Sequence, residues 1–383
     1  MPEKKKIFEY LSFVITLIGF AGLLIFTSDC INSAKKAVDM CLNIIIPSLF
    51  PFFIFSSLII SSGICEKIQR PMEKIMKPLF NVSGACSAAF ILGILSGFPV
   101  GAKTAVTLYE KRLCSKTEAE RVLAFCNNAG PFFILGTVGV GMWQSSKAGW
   151  ILWSAQAISA ILTGIIFGHL WKRHDHPSKT YAASAKKRLS PSKNLFSAVS
   201  GSAASMVSIC AFIIFFAVIV ALLQASGIIG GFASLICKIF PSLSEKTTEN
   251  ILSGFFEMTT GIAAVGNNTP LVQGLTVTGA LLGWAGLSVH CQVLSVVHES
   301  GLSTRPYFYG KLMQTALSAT ITFLFSVFFT LPDKKDVFIN YSTSGLSPFS
   351  ASELFALCTA ISIFLLCAFA IVSELTDKKK EKN

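Results

Sequence analysis

The chain has 383 residues, of which 52% are hydrophobic, only 14% are charged and 33 are phenylalanine. An ordinary soluble domain carries roughly 25% charged residues, and one core of this length could not bury so much apolar surface, so a water-soluble enzyme is excluded. The net charge of +12 comes from short Lys/Arg clusters at the ends of apolar runs. Such clusters are typical of cytoplasmic loops of membrane proteins and not of a nucleic-acid site.

The apolar runs and the basic loops between them predict the following elements in chain order. The first half has spans at 10–27 and 38–62, a surface helix at 66–80, a re-entrant hairpin at 84–109, and spans at 117–145 and 148–171. A basic cytoplasmic linker follows. The second half has a span at 196–225, a surface helix at 228–242, a hairpin at 248–270, and spans at 272–299, 306–330 and 351–373. The predicted fold class is therefore an all-α integral membrane protein with about eight transmembrane helices and two re-entrant hairpins.

The two halves repeat the same landmarks in the same order. An SGF motif lies at Ser96 to Phe98 and again at Ser253 to Phe255, an Ala-Gly pair follows each, and a glutamine follows at Gln156 and at Gln314. The matched elements cross the membrane in opposite senses, which is the inverted-repeat plan of secondary transporters. The predicted units are 1–37 (first span), 38–171 (first repeat), 172–195 (linker), 196–330 (second repeat) and 331–383 (loop, last span and tail), with both termini cytoplasmic.

Transporters of this plan place the site near the membrane midplane, where interrupted helices present unpaired backbone groups. Four segments broken by Gly or Pro fit that position, two in each half: SGFPVGAKT, CNNAGP, SGFFEMTTG and GWAGLSVHCQ. Glu257 is the only acidic residue between positions 250 and 298. We expect it to carry a proton or bind a coupling cation, with oxygens from Thr259 and Thr260; the alternative is a helix cap or an ion pair.

The remaining candidate residues are a lysine, two asparagines, a histidine and a glutamine. Lys103 is predicted to bind a substrate carboxylate or, alternatively, to reach the inner surface as a loop lysine. Asn127 and Asn128 precede a helix break at Ala-Gly-Pro, where their amides either cap the break or contact a ligand. His290 and Gln292 occupy the matching break of the second half, where a lone histidine in an apolar helix is more often a packing group than a proton relay. The substrate-binding candidates are Lys103, Asn127, Asn128, Glu257, Thr259, Thr260, His290 and Gln292.

No catalytic signature is present: the sequence lacks HExxH, GxSxG, Walker and dinucleotide motifs, and its eleven cysteines form no CxxC pair. We therefore expect no enzyme activity, no metal site and no cofactor. Without a nucleotide-binding domain, uphill transport needs an ion gradient, so H+ or Na+ is the expected coupling ion.

Several long motifs carry a resemblance to a known family. The stretches PSLFPFFIFSSLI, LSGFPVGAKTAVTLYEK, EAERVLAFCNNAGPFFILGTVG, GFFEMTTGI and GLSVHCQVLSV resemble the sporulation integral membrane proteins called YlbJ or stage V sporulation protein V. That family has paired nucleoside-recognition (Gate) domains and is similar in plan to concentrative nucleoside transporters. The resemblance implies export of dipicolinic acid from the mother cell across the outer forespore membrane.

The expected function is thus that of a carrier for a small anion, and dipicolinate is the leading candidate substrate. Lys103, Asn127 and Asn128 are chemically suited to a dicarboxylate, whereas Glu257 would repel one unless it is protonated or faces a cation. An ion-coupled nucleoside transporter and a non-transporting membrane assembly protein are the alternatives. The expected partners are the solute and the lipid bilayer, with an oligomer left open and no nucleic acid.

Overall fold

A computed structural model describes residues 2–61, 64–170, 191–239 and 244–329. Within these ranges the chain is helical and contains no β-strand. The helices are α1 (Pro2–Ile25), α2 (Thr27–Met40), α3 (Ile46–Ser61), α4 (Ile64–Phe80), α5 (Ser87–Ser96), α6 (Val100–Glu110), α7 (Lys116–Leu123), α8 (Ser146–Leu170), α9 (Pro191–Ala225), α10 (Ile228–Ile239), α11 (Glu245–Phe256), α12 (Met258–Asn268), α13 (Leu271–Trp284), α14 (Gly286–Val297) and α15 (Arg305–Phe328). Two π-helical stretches, Cys41–Ile45 and Phe133–Met142, and two 3-10 turns, Gly84–Cys86 and His298–Ser300, complete the described elements.

The all-α membrane class predicted from the sequence is confirmed. Four helical segments in the described ranges have the length and composition to cross a bilayer: Ser146–Leu170, Lys193–Ala225, Leu271–Ser300 and Arg305–Phe328. Two further pairs, Phe13–Ile25 with Thr27–Ile45 and Ile68–Phe80 with Gly84–Ser96, pass the same test together and are each bent by 93°. The predicted linker and the predicted last span at 351–373 lie largely or wholly outside the described residues.

The start of the chain differs from the prediction of two spans separated at residues 28–37. The chain bends sharply at Phe26 and is then continuously helical from Thr27 through the π-helical stretch to Ser61. The polar sequence around Asp29 and Lys35 suggested a loop, but Cys30 and Ala37 on the same segment are buried. Ser33 Oγ also donates to the Ala217 carbonyl of α9 at 2.9 Å. Packing on α9 thus overrides the local polarity.

Both predicted hairpins are confirmed. Helices α5 and α6 form the first, with its tip at residues 97–99, and α11 and α12 form the second, with its tip at Glu257. In each hairpin a glycine pair lets the two arms approach closely. A Cβ on Gly93 would lie 3.0 Å from the Gly101 Cα, and a Cβ on Gly261 would lie 2.1 Å from the Gly254 Cα.

These glycine pairs change the alignment of the two halves that the SGF motifs suggested. Gly93 and Gly254 occupy equivalent places in the two hairpins, since each contacts the glycine of the opposite arm. The SGF motif at 96–98 therefore lies at the hairpin tip, whereas the SGF motif at 253–255 lies about one turn before its tip. The Ala-Gly landmarks keep their equivalence, because both lie at a helix break.

The two helix breaks lie within the predicted spans, at the segments CNNAGP and GWAGLSVHCQ that the sequence predicted to be broken. Residues 117–145 are divided into α7, an irregular segment and the π-helical stretch, and residues 272–299 are divided into α13 and α14. Ala285 and Gly286 both have φ of +79° at the second break. That left-handed geometry is costly for alanine, so surrounding packing must hold it in place.

The predicted surface helix at 66–80 corresponds to α4. Its apolar side packs on protein: Met76 is fully buried, and Met72 and Ile75 pack against the same core cluster. This cluster also contains Phe80, which stacks on Phe125 with ring centroids 4.8 Å apart. The helix is therefore anchored to the first half near its break.

Candidate functional site

In each half the hairpin tip lies against the helix break of the same half. A Cβ on Gly97 would lie 2.8 Å from the Gly130 nitrogen, and a Cβ on Gly286 would lie 2.9 Å from the Met258 nitrogen. Only glycine permits these contacts, and Gly97 (φ 85°, ψ −171°) also needs the conformational freedom of a residue without Cβ. Two pairs of interrupted backbone segments are thus fixed in place.

A small cavity of about 50 Å³ lies where these segments meet. The first half contributes Gly97, Phe98, Ala129, Gly130 and Phe133, and the second half contributes Glu257, Met258, Thr259, Ser288, Val289 and Gln292. Side chains of Ile45, Leu49, Ile209 and Ile213 complete the wall. Such a volume admits a few water molecules. The cavity is the candidate site, since both halves build it from their hairpins and breaks.

Helix starts surround the cavity. Helix α6 begins just after Phe98, α12 begins just after Glu257, and α14 begins just before Ser288. The first N–H groups of a helix have no partner within it and carry the positive end of the helix dipole. The backbone therefore offers donors to a polar or negatively charged group in this cavity.

Glu257 forms the helix cap that was one of its two predicted alternatives, and it also lines the cavity. Its carboxylate accepts hydrogen bonds from the backbone N–H groups of Thr259 at 3.1 Å and Thr260 at 2.6 Å, so it caps α12. The side chain is also 1% exposed and lines the cavity. Thr259 lines the cavity as well, whereas Thr260 contributes its N–H to the cap. The cap holds the carboxylate in place at the cavity wall.

Ser288 and Gln292 lie one turn apart on α14 and both face the cavity. Ser288 is 1% exposed, and its hydroxyl has no hydrogen-bond partner among the described residues. A buried polar atom without a partner is costly, so it marks a position where a ligand or water is expected to bind. Gln292 was predicted as a site residue; Ser288 was missed, although the motif GLSVHCQ contains it.

Asn127 and Asn128 are both buried at the first break but have different surroundings. Asn128 donates to the Phe125 carbonyl at 2.8 Å and accepts from Gln314 Nε2 at 2.6 Å. Its amide therefore pairs with a backbone carbonyl at the helix break and connects the two halves. The Asn127 amide atoms form no hydrogen bond of good geometry, although the Tyr307 hydroxyl lies within reach. Neither residue lines the cavity directly.

Gln156 and Gln314 join the two halves, as one interpretation of the sequence predicted. Gln314 binds Asn128 across the halves, and Gln156 Oε1 accepts from Ser318 Oγ at 3.3 Å. Gln156 also donates to the Leu282 carbonyl at 3.4 Å. These side chains act as interhelical contacts and not as wall residues of the cavity.

Lys103 lies outside the candidate site. Its side chain is exposed and donates to Ser205 Oγ of α9 at 3.3 Å. It lies on α6 close to the hairpin tip in sequence, but it is not among the residues that line the cavity. The prediction that it binds a substrate carboxylate therefore finds no support in this arrangement.

A different lysine is buried near the cavity. Lys311 of α15 is 1% exposed, and its ammonium lies 5.1 Å from the ring centre of the wall residue Phe98. Lys311 was not among the candidate residues predicted from the sequence. Its position inside the predicted span 306–330 was the available signal.

His290 packs in an aromatic group beside the second break. Its Nδ1 lies 2.8 Å from the Tyr307 hydroxyl, and its ring lies 4.3 Å from the Trp284 ring between centroids. The residue is buried but does not line the cavity. Its geometry matches the packing alternative, with Nε2 left unpaired among the described residues.

No group of three or more His, Cys, Asp or Glu side chains in the described ranges could hold a metal ion. The cysteines whose side chains the structure describes are free thiols. The site is thus built from one carboxylate, hydroxyls, an amide and backbone N–H groups.

Comparison with known proteins finds a family match that covers the first-half wall of this cavity and not the second-half wall. Residues 42–142 match the Gate family, nucleoside recognition. The matched range contains the first hairpin and the first break. Over 341 residues the chain is also 29% identical to the sporulation integral membrane protein YlbJ of Bacillus subtilis (strain 168), covering 82% of this chain and 83% of that protein. Both findings confirm the resemblance inferred from the motifs.

Solved structures of CNTnw are more distant. The inward-facing substrate-bound form is 14% identical and has a TM-score of 0.48 over 85% of this chain and 87% of that chain. An outward-facing form is 13% identical and has a TM-score of 0.49 over 86% of this chain and 88% of that chain.

Proposed function

We propose that the protein is an ion-coupled membrane carrier for a small polar solute, and that dipicolinate is that solute. The observation that carries the proposal is the cavity shared by two hairpin tips and two helix breaks, since a carrier needs one site that both halves contact. The same elements that form the wall also connect the halves, so their relative movement would open the cavity.

The helix starts around the cavity favour an anion. The N-termini of α6 and α14 supply backbone donors and partial positive charge, which is how carboxylates are bound at broken helices, whereas the first N–H groups of α12 are taken by Glu257. Glu257 opposes a dianion, but its carboxylate is already paired with two N–H groups at the start of α12. A proton or Na+ bound at Glu257 would remove the remaining repulsion, so coupling and substrate binding would take place at one position.

We further propose the outer forespore membrane as the site of action, with both termini cytoplasmic. The name of the relative, sporulation integral membrane protein YlbJ, supports a role in sporulation. The direction of transport is then from the mother cell towards the spore.

A nucleoside is the second candidate. The Gate match is described as nucleoside recognition, and the wall combines a carboxylate, Glu257, with an amide, Gln292. Carboxylates accept from sugar hydroxyls, and amides donate to and accept from base edges. This chemistry suits a neutral nucleoside without a coupling cation at Glu257.

Uptake measurements on purified protein in lipid vesicles separate these candidates. Labelled dipicolinate and labelled uridine are offered with a proton gradient, with a sodium gradient and with neither, and protein-free vesicles serve as the control. We expect gradient-dependent accumulation of dipicolinate and none of uridine. Accumulation of uridine alone would replace the first candidate by the second, and accumulation of neither would favour a non-transporting assembly protein.

A further inference from the structure

Lys311 is a buried cation without an anionic partner. Its ammonium donates to the Gly283 carbonyl at 3.3 Å and to Gln314 Oε1 at 2.9 Å, and no carboxylate in the described ranges forms an ion pair with it. A buried charge of this kind is costly and is commonly retained for function.

The second helix break explains how the cation is held. Gly283 lies in the last turn of α13, where the carbonyl groups lose their helical partners and carry partial negative charge. Gln314, which binds Lys311, is itself held by Asn128 at 2.6 Å. The ammonium is therefore fixed by both halves rather than free to reach the membrane surface.

Phe98 places this cation next to the cavity. The ammonium lies 5.1 Å from the Phe98 ring centre, and the same ring forms part of the cavity wall. A solute in contact with Phe98 then lies within about 9 Å of the ammonium, since atoms in contact are about 4 Å apart. Across that distance inside a protein, one unit of negative charge gains on the order of tenfold in affinity, and a neutral solute gains nothing.

The charge is also specific to one half. Lys311 precedes Gln314 by three residues, and the residue three before the matching Gln156 is Trp153. Gln156 and Gln314 both join the halves, but only the second carries an adjacent cation. A purely structural role at the repeat interface does not require it.

We propose that Lys311 selects negatively charged solutes, acting through Phe98 as a positioning charge behind the cavity wall. The inference rests on the proposed function, because it assumes that a solute occupies this cavity. It replaces Lys103 as the cation of the site and adds a reason for which an anion is preferred over a nucleoside.

The test compares two ligands of the same shape and different charge. Affinities of dipicolinate and of neutral pyridine-2,6-dicarboxamide are measured by calorimetric titration of the purified protein in detergent, for wild type, Lys311→Met, Lys311→Arg and Lys103→Met. We expect Lys311→Met to weaken dipicolinate binding tenfold or more and diamide binding less than twofold. We expect Lys311→Arg to restore most of the preference, and Lys103→Met, the matched exposed control, to leave both affinities unchanged.

Other outcomes contradict the inference in distinguishable ways. Unchanged dipicolinate binding by Lys311→Met would contradict the inference. Equal loss of both ligands by Lys311→Met, with no recovery of dipicolinate binding by Lys311→Arg, would make Lys311 a structural residue. In either case the proposed function stands. If wild type binds neither ligand, the proposed function fails and the inference fails with it. Melting temperatures of all variants show whether a loss of binding reflects unfolding.

Discussion

Glu257 uses one carboxylate both to cap a helix and to line the candidate site. As the cap of α12 it satisfies two backbone donors, and as a wall residue it brings a carboxylate to the cavity. The sequence indicated that this acidic residue was unusual, because it is isolated in an apolar region. It did not indicate the cap, since capping depends on where the helix restarts.

Glu257→Gln tests whether the carboxylate does more than cap. The amide oxygen can still accept one hydrogen bond, so we expect a stability loss of about 1 kcal/mol. We expect transport to fall far more, because the variant cannot bind a proton or a cation. Ser244→Ala, which removes the cap of α11 away from the cavity, is the matched control and should keep full transport. Equal transport by wild type and Glu257→Gln in vesicles would remove the coupling role.

The two lysines illustrate what the sequence could not resolve at this scale. Lys103 is close to the tip in sequence, yet its side chain is exposed on α6, whereas Lys311 was not a predicted site residue and is buried. Which face of a helix points inward depends on tertiary packing. Uncharged residues lie on both faces of α15, so its sequence has no periodicity of polarity that would show which face is buried.

At the scale of elements, hairpins and breaks were the most predictable features. Gly and Pro interrupt the apolar runs at the places where the structure interrupts the helices, because these residues permit or impose non-helical backbone. The continuous helical segment from Thr27 to Ser61 was not predicted, because part of it is polar and its contact with α9 is not visible in the sequence.

Gly97→Ala tests the contact between hairpin tip and break. The substitution puts a Cβ 2.8 Å from the Gly130 nitrogen in a backbone conformation that alanine avoids. We expect a stability loss of about 1–3 kcal/mol, measured as a lower melting temperature in detergent. Gly201→Ala is the control: it lies inside α9 with no neighbour within 4 Å, so we expect no loss or a small gain. Similar melting temperatures for both variants would contradict a tight contact at the tip.

At the scale of the whole molecule, a buried polar network joins the halves beside the cavity. It runs from Lys311 through Gln314 to Asn128, and Gln156 with Ser318 forms a second connection. The repeat of glutamines was visible in the sequence. Their partners were not, because residues far apart along the chain provide them.

Gln314→Leu tests this network. The change leaves the Asn128 oxygen and the Lys311 ammonium without their partner in a buried place, so we expect a loss of about 1–3 kcal/mol. Gln224→Leu is a matched control, since Gln224 is exposed and binds Ser253 within one half at 2.9 Å. Thermal unfolding in detergent should separate the two variants by several degrees. Equal unfolding temperatures would mean that the network between the halves contributes little to the stability of the protein.

The central claim is that the solute passes through the cavity between the halves. Vesicle uptake of dipicolinate by Ser288→Val and Ser288→Phe tests it most directly, because these side chains fill the cavity progressively from α14. Thr320→Phe, on the exposed side of α15, is the control for added bulk, and melting temperatures monitor folding. We predict reduced uptake for Ser288→Val, no uptake for a folded Ser288→Phe, and wild-type uptake for Thr320→Phe. Uptake at the wild-type rate by folded Ser288→Phe would contradict the claim.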